Sequence, residues 1–206
     1  MEPFIRLQGV AAPLPQLNVD TDAIIAVQHL NTLSKAGLGR YLFHRWRFAA
    51  DGSEVPGFVL NREPFRQASI LVARANFGCG SSREHAVWAV AGFGLRCIIA
   101  PSFASIFYEN CTRNGTLPVT LDEPVVEALL SMLEQHESKT VTVDLRACQV
   151  TFPDGSVHTF EIDEARRETL LQGLDPVTIA ASHEEDIAAY QRKDREARPW
   201  IWLGGS

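Results

Sequence analysis

The chain has 206 residues, of which 46% are hydrophobic and 21% charged, and its 19 Lys and Arg against 25 Asp and Glu give a formal net charge of −6. This length suits one full-sized domain with a continuous core and is too short for two large domains. The acidic balance disfavours nucleic-acid binding, which needs clustered Lys and Arg.

No targeting or membrane-spanning segment is visible in the sequence. The first nine residues contain one basic residue, Arg6, and no apolar run of the signal-peptide type. The longest apolar runs are far shorter than the roughly 20 residues that a membrane span needs. We therefore expect a cytoplasmic chain that contacts neither a membrane nor nucleic acid.

The first half of the chain is predicted to change from loops to a strand and helix pattern. The first 60 residues are expected to be rich in loops, with acidic residues just before the apolar pair Ile24–Ile25. Short apolar runs at 68–73 and 96–100 predict buried strands. Between them, a glycine loop leads into a helix that reaches about residue 90.

The second half continues this alternation of helices and strands. A helix over 103–114 is predicted, with Ser102 as its N-cap and Gly115 as its end, followed by a strand at 117–121. The remaining predicted elements are an amphipathic helix over 123–137, a hairpin of strands 141–145 and 157–162 around Pro153–Gly155, and helices over 163–171 and 184–195. The apolar segment 198–203 is expected to dock on this domain or on a partner. The pattern predicts an α/β sandwich.

The cysteines do not form a metal-binding pattern. The chain contains Cys79, Cys97, Cys111 and Cys148, with no CxxC pair and no histidine at ligand spacing. We expect reduced, mostly buried thiols, and neither zinc nor an iron–sulfur cluster bound by this chain alone.

The segment from Gly78 to Arg83 is the most informative part of the sequence. Gly78 and Gly80 allow a sharp turn after a strand, so that amides at the start of the next helix face an open concavity suited to an anion. Ser81 and Ser82 stand where they can cap that helix, and Arg83 offers a fork for a carboxylate. Simple N-capping remains an alternative role for the serines.

This glycine pattern differs from three common motifs. It lacks the third glycine of the dinucleotide-binding fingerprint and the lysine of the P-loop. The serine is also displaced by one residue from the position it has in a nucleophile elbow. The segment therefore predicts a serine turn that binds a carboxylate.

Several segments together resemble a known family, the swivel domain of the aconitase superfamily, and most closely the small subunits of isopropylmalate isomerases. The matching segments are 10–15, 18–25, 46–48, 76–86, 98–104, 114–118 and 173–175. The resemblance covers roughly residues 4–203. It implies an α/β fold of three β/β/α layers, a swivelling domain over residues 1–206, in which 184–206 form a C-terminal helix and tail.

The resemblance also implies a function. In this family a separate large subunit carries a 4Fe-4S cluster, and the small subunit closes over it and supplies a serine base. The implied reaction is that of a 3-isopropylmalate dehydratase: 2-isopropylmalate becomes 3-isopropylmalate by dehydration and rehydration through 2-isopropylmaleate, in leucine biosynthesis. The chain is then expected to carry no cofactor, to be inactive alone, and to work as a heterodimer on a small dicarboxylate.

By the same resemblance, three residues of the turn have roles in the reaction. Ser81 is expected to act as the base, as an alkoxide, and Ser82 and Arg83 are expected to contact a substrate carboxylate. Removing a proton next to a carboxylate builds negative charge there, so such a site needs both a base and donors. A serine can serve as the base only where amides and Arg83 stabilise its oxyanion.

Four further residues are candidates for the site. Thr21 and Asp22 are expected to orient the site, with capping or turn formation as the alternative for Asp22. His85 is expected to support the site, although a helix-end ion pair or a buried hydrogen bond explains it equally well. Lys35 is expected to bind substrate, with an exposed, solvated side chain as the alternative.

The loop over 28–39 departs from the family pattern, and Ala26 stands where the family has proline. Because this loop faces the variable substituent in the family, two alternatives stay open. One is a related dehydratase that acts on another substituted malate. The other is a module that binds a dicarboxylate without catalysis.

Overall fold

A computed structural model describes residues 1–30, 34–174, 178, 181 and 183–202. The chain divides into two compact units, Met1–Gly173 and Leu174–Ser206. None of the helices in the described ranges combines the length and apolar character that crossing a bilayer requires.

Within the described residues, seven strands form a sheet of order β4-β3-β2-β1-β5-β6-β7. They are β1 (Arg6–Leu14), β2 (Ile70–Ala73), β3 (Cys97–Ala100), β4 (Leu117–Thr120), β5 (Thr140–Asp144), β6 (Gln149–Thr151) and β7 (Val157–Thr159). Strands β1 to β4 run parallel, whereas β5, β6 and β7 pair antiparallel.

The described α-helices are α1 (Thr21–Ile24), α2 (His44–Arg47), α3 (Glu84–Phe93), α4 (Ser105–Arg113), α5 (Glu123–Gln135), α6 (Glu164–Gln172) and α7 (Glu184–Ala197). Single 3₁₀ turns occur at Val27–His29, Leu38–Tyr41, Val59–Asn61, Phe65–Gln67 and Pro199–Ile201. The predicted α/β class is confirmed.

Strand β1 lies at the centre of the sheet, so the expectation of a loop-rich beginning is wrong for residues 6–14. Its first half pairs with β5 up to Val10, and from Ala11 it pairs with β2. The Ala11 amide donates to the Lys139 carbonyl at 2.9 Å, on the β5 side. Backbone amides of alternate residues in a strand point to the same side, so the nitrogen of Pro13 faces the β5 side, as that of Ala11 does. Pairing with β5 ends at Val10, so the missing N–H of Pro13 removes no ladder hydrogen bond.

The parallel strands separate two hydrophobic cores. On β2, Leu71 and Ala73 face one core, which includes buried residues of α3, while Ile70 and Val72 face the other. The second core joins the apolar face of α5 to the antiparallel strands, so the sheet curls over that helix. The four consecutive apolar residues of β2 are therefore buried on both faces of the sheet, as expected of a parallel strand.

The predicted hairpin of 141–145 with 157–162 is wrong. Strand β5 pairs with β6, and β6 pairs with β7, so the turn at Pro153–Gly155 joins β6 to β7. β6 is only three residues long. A strand this short shows too little alternation to be recognised from sequence.

The predicted N-cap of α4 is wrong, and neither serine of the glycine turn caps α3. Helix α4 begins at Ser105 with Ala104 at its N-cap, and the Ser102 hydroxyl instead accepts a hydrogen bond from the Asn76 amide at 2.9 Å. Helix α3 has Arg83 rather than a serine at its N-cap. Helix α6 begins at Glu164, close to the predicted start, and Asp163 caps it by accepting from the amide of its third residue at 3.1 Å.

The C-terminal unit contains α7 and the following 3₁₀ turn. Asp194 accepts hydrogen bonds from the Trp202 indole at 2.9 Å and from Arg198 Nε at 2.7 Å. Trp200 and Ile201 are exposed. Docking of 198–203 stays a prediction, with residue 203 outside the described residues, and so does the assignment of 1–206 to one domain.

Candidate functional site

The site is formed where two parallel strands end. After β1 the chain leads into α1, and after β2 it leads into the glycine turn, and these two segments run side by side. The Gly78 amide donates to the Val19 carbonyl at 2.7 Å, and the Thr21 amide donates to the Cys79 carbonyl at 2.9 Å. The carboxyl ends of parallel strands are the usual location of ligand sites in α/β folds.

Gly78 is required at its position for two reasons. Its φ is +77°, a backbone conformation that is strained for any residue with a Cβ. A Cβ placed on Gly78 would also lie 2.1 Å from Cγ of Phe107, a buried residue of α4. The close approach of backbone to this ring brings α4 against the turn.

The turn and the start of α4 enclose an open cavity of about 180 Å³. Its lining residues are Thr21, Gly78, Gly80, Ser81, Ser82, Arg83, Ala104, Ser105, Ile106, Phe107 and Asn110. Four of the candidate site residues therefore meet at one cavity: Thr21, Ser81, Ser82 and Arg83. Ser81 and Ser82 are exposed, so their hydroxyls are open to a ligand or to a covering chain.

Thr21 and Asp22 support this turn from α1. The Thr21 hydroxyl donates to the Ser81 carbonyl at 2.9 Å, which ties the backbone of the serine to α1. Asp22 Oδ1 accepts from Arg83 Nη1 at 3.1 Å, and Asp22 Oδ2 accepts from Arg45 Nη1 at 2.5 Å. The Arg83 hydrogen bond, with further contributions from the Arg45 charge, lowers the pKa of Asp22 from its usual 3.8.

The electrostatics of the cavity favour an anion. Among the described lining residues, Arg83 alone carries a charge, which is positive, and its side chain is 20% exposed. Helix α4 begins at this cavity, since its N-cap Ala104 and its first residues Ser105 and Ile106 line it, so the positive end of that helix lies there. A carboxylate in the cavity would meet a guanidinium, two hydroxyls and a helix N-terminus.

Lys35 and His85 lie in a different cluster, between α3 and α4. Lys35 Nζ donates to Asn114 Oδ1 at 2.9 Å and lies 5.3 Å from the centre of the Trp88 ring. The His85 ring is 4.6 Å from Trp88. Neither residue lines the cavity around Ser81, and their assigned roles stay predictions. Residues 31–33 of the loop over 28–39 are outside the described residues.

The chain resembles known proteins over its full length. The family model of the aconitase C-terminal domain matches residues 1–124, and the model LeuD_N matches residues 127–164. The 3-isopropylmalate dehydratase small subunit of Paramagnetospirillum magneticum is 51% identical over 201 residues, which are 98% of this chain and 100% of the relative. The chain belongs to the 3-isopropylmalate dehydratase small-subunit family.

A further small subunit agrees with this membership, and a solved structure agrees with the fold. The 3-isopropylmalate dehydratase small subunit of Rhodospirillum centenum is 50% identical, with 97% of this chain and 98% of the relative covered. A crystal structure titled 3-isopropylmalate dehydratase from Methanocaldococcus jannaschii aligns with a TM-score of 0.65 at 24% identity, covering 90% of this chain and 99% of that one. The predicted family and its swivel-type fold are confirmed.

Two parts of the site of this family member were not anticipated from sequence. The first is the start of α4, where Ser105, Ile106 and Asn110 complete the cavity. The resemblance over 98–104 stops just before them. The second is Arg45, which pairs with Asp22 across 23 residues, and no local pattern marks such a contact.

The cysteines show no sign of metal binding. In the described ranges, no three His, Cys, Asp or Glu side chains are grouped so that they could hold a metal ion. Cys97 and Cys111 are buried, and burial raises the pKa of both thiols. A protonated, buried thiol is a poor metal ligand.

Proposed function

We propose that this chain is the small subunit of a cytoplasmic 3-isopropylmalate dehydratase, which converts 2-isopropylmalate into 3-isopropylmalate in leucine biosynthesis. The observation that carries the proposal is the full-length similarity to proteins named as small subunits of this enzyme. A small subunit requires a large one, and the family expectation is a large subunit with a 4Fe-4S cluster. The cavity around Ser81 is the surface that we propose this partner covers.

In the proposed mechanism, Ser81 moves the proton. The reaction removes a proton from the carbon next to a carboxylate, which increases the negative charge on that carboxylate. The exposed Ser81 Oγ, in its alkoxide form, accepts this proton in one half-reaction, and the hydroxyl so formed returns a proton to the neighbouring carbon in the other. The partner's cluster, when bound, supplies Lewis-acid chemistry at the departing hydroxyl.

The neighbouring groups make a serine base possible. Arg83 and Ser82 bind a carboxylate and offer donors where negative charge grows. The Thr21 hydroxyl holds the Ser81 backbone, and Asp22 holds the Arg83 guanidinium. A covering partner excludes water, which strengthens each of these interactions.

Lys35 is proposed to make a small contribution to substrate binding. Its ammonium is bound by Asn114, so it reaches a substrate only by exchanging that hydrogen bond. His85 packs on Trp88 at the same cluster and is proposed to support α3. We therefore expect Lys35→Met to raise KM for isopropylmalate by less than about threefold, the size of a weak, exposed charge contact.

The decisive experiment is reconstitution with the large subunit, followed by assay with 2-isopropylmalate. Ser81→Ala is expected to lower kcat by about 10³-fold or more, because it removes the base. The complex should still form, as measured by gel filtration. Ser156→Ala, in the turn between β6 and β7, is the matched control and should keep full activity.

The same experiment separates the alternatives. If the chain binds a dicarboxylate tightly by itself and never associates with a large subunit, it is a binding module. If the reconstituted pair acts on another substituted malate in preference to isopropylmalate, the chain belongs to a related dehydratase. Full activity of Ser81→Ala on isopropylmalate would contradict the proposed mechanism.

A further inference from the structure

One carboxylate, Asp22, joins two guanidinium groups beside the cavity. Its Oδ1 accepts from Arg83 Nη1 at 3.1 Å and its Oδ2 accepts from Arg45 Nη1 at 2.5 Å. Since both hydrogen bonds end on the same carboxyl group, the two terminal nitrogens lie no more than about 8 Å apart. The contact links α2, α1 and the glycine turn.

This arrangement sets the combined charge of the Asp22, Arg83 and Arg45 side chains beside the glycine turn. Arg83 paired with Asp22 alone would form a neutral set, and an incoming carboxylate would meet the repulsion of Asp22 as well as the attraction of Arg83. Arg45 adds a second positive charge, so the three groups together carry +1. A carboxylate substrate therefore meets a net attraction from these three groups.

The backbone places Arg45 firmly in this position. The Phe43 amide, just before α2, donates to the Ile24 carbonyl at the end of α1 at 2.9 Å. At the other end of α2, the buried Arg47 donates from Nε to Asn61 Oδ1 at 3.1 Å. Arg45 stands between these anchors, and its side chain is 53% exposed. A short helix tied at both ends presents its guanidinium to Asp22.

We propose that Arg45 is a positioning residue that offsets the charge of Asp22, so that Arg83 keeps its positive charge for a carboxylate of the substrate. Arg45 acts through Asp22 and does not touch the substrate. The proposal rests on the proposed function, because it assigns the substrate-binding charge of that same cavity.

The first test is Arg45→Met in the reconstituted complex. KM for isopropylmalate is expected to rise about five- to tenfold, as for the loss of one partly screened charge, with kcat within about twofold. Arg45→Lys should restore most of the loss, because it keeps the charge. Arg66→Met is the matched control, since Arg66 is a similarly exposed arginine paired with Glu54 outside the cavity, and its KM should stay unchanged.

The second test places Arg45→Met in an Asp22→Asn background. Asp22→Asn removes the carboxylate charge that holds the exposed Arg45 guanidinium beside the cavity, so Arg45→Met should change KM there by less than about twofold. An equal rise of KM in both backgrounds would overturn the proposal, because it would mean that Arg45 acts on the substrate independently of Asp22. An unchanged KM for Arg45→Met in the unsubstituted chain would overturn it as well.

A binding measurement keeps this test independent of the reaction. Titration calorimetry of the reconstituted complex with maleate, a plain dicarboxylate, should show the same five- to tenfold weakening on Arg45→Met and none in the Asp22→Asn background. If the unsubstituted complex binds maleate in this way but turns over no isopropylmalate, the proposed function fails while the role of Arg45 stands. The role of Arg45 is overturned if neither substitution changes the affinity for maleate. It is also overturned if the unsubstituted complex does not bind maleate.

Discussion

The parallel and antiparallel halves of the sheet share β1 but use their polar side chains differently. In the antiparallel half, Asp154 accepts hydrogen bonds from the Ser156 amide at 2.9 Å and from the Ser156 hydroxyl at 2.7 Å. Its carboxylate therefore stabilises the turn in which it lies. In the parallel half, Asp22 reaches Arg83, which is 61 residues away in sequence. Crossover connections bring distant segments together at the strand ends, whereas a tight turn meets only its neighbours. The candidate site accordingly lies in the parallel half.

The sharpest way to test this contrast is to substitute one glycine in each half. Gly78 and Gly155 both have positive φ, +77° and +87°, but only Gly78 faces a neighbour that a Cβ would meet within 4 Å. Gly78→Ala should destabilise the fold by at least about 3 kcal/mol and abolish activity, since it adds a clash with Phe107 to the backbone strain. Urea unfolding measures the loss.

Gly155→Ala is the matched control for this experiment. It has the same kind of backbone strain and open space around the new methyl group. We expect a loss of about 1–2 kcal/mol and unchanged activity of the reconstituted enzyme. Equal losses for the two variants would contradict the close packing of the glycine turn against α4.

A smaller effect is expected from two helix caps. Asp20 caps α1 by accepting from the Ala23 amide at 2.7 Å, and Asp163 caps α6 by accepting from the Arg166 amide at 3.1 Å. Replacing either by Ala should cost about 1 kcal/mol of stability in urea unfolding. Asp20→Ala should also lower activity about tenfold, because α1 carries Thr21 and a slight misplacement of catalytic groups is costly.

Asp163→Ala should leave activity unchanged, since α6 contributes no residue to the cavity. If both cap variants lose activity equally, the site depends on global stability rather than on the local position of α1. If neither loses stability, the side-chain caps contribute little to either helix.

The smallest expected effect distinguishes the causes of two lowered pKa values. The pKa of Asp22 is lowered first by the Arg83 hydrogen bond and also by the charge of Arg45, whereas the pKa of Asp154 is lowered first by the Ser156 hydroxyl and amide. Salt screens charges over short distances, with a Debye length of about 3 Å at 1 M. Raising the salt concentration should therefore raise the pKa of Asp22 toward 3.8 more than that of Asp154, as measured by NMR titration.

Both carboxylates stabilise the fold in the same pH range. Because each folded-state pKa lies below the ordinary 3.8, the contribution is fully present above that value and is lost as the pH falls through the lower folded-state value. The difference in thermal stability between the unsubstituted chain and Asp22→Asn should be constant from pH 8 to about pH 5 and shrink only in stronger acid. A loss that begins near neutral pH would contradict the lowered pKa.

Some of the fold and site could be predicted because the signals are local. The apolar run that contains β2, the start of α6 and the paired glycines of the turn each depend on neighbours within a few residues. Backbone sterics and hydrophobic periodicity act over this range, so residue order alone carries them. The likeness to a family placed Ser81 and Arg83 in one site.

Other features were decided by segments that are far apart in the sequence. A proline such as Pro13 is unusual inside a central strand, because it cannot donate a backbone hydrogen bond. Only the register shows that its nitrogen faces the unpaired side of β1. Ser102 binds the Asn76 backbone rather than its own helix, and Lys35 turns to Asn114 rather than to the serine turn.

The residue order thus determined where the backbone can bend and which side chains can bind an anion. Only the tertiary structure decided which charges meet, as Arg45 and Arg83 do on Asp22. The physical reason is that electrostatic and hydrogen-bond partners are selected by distance in space, and loop closure brings them together at a cost that depends only weakly on their separation along the chain.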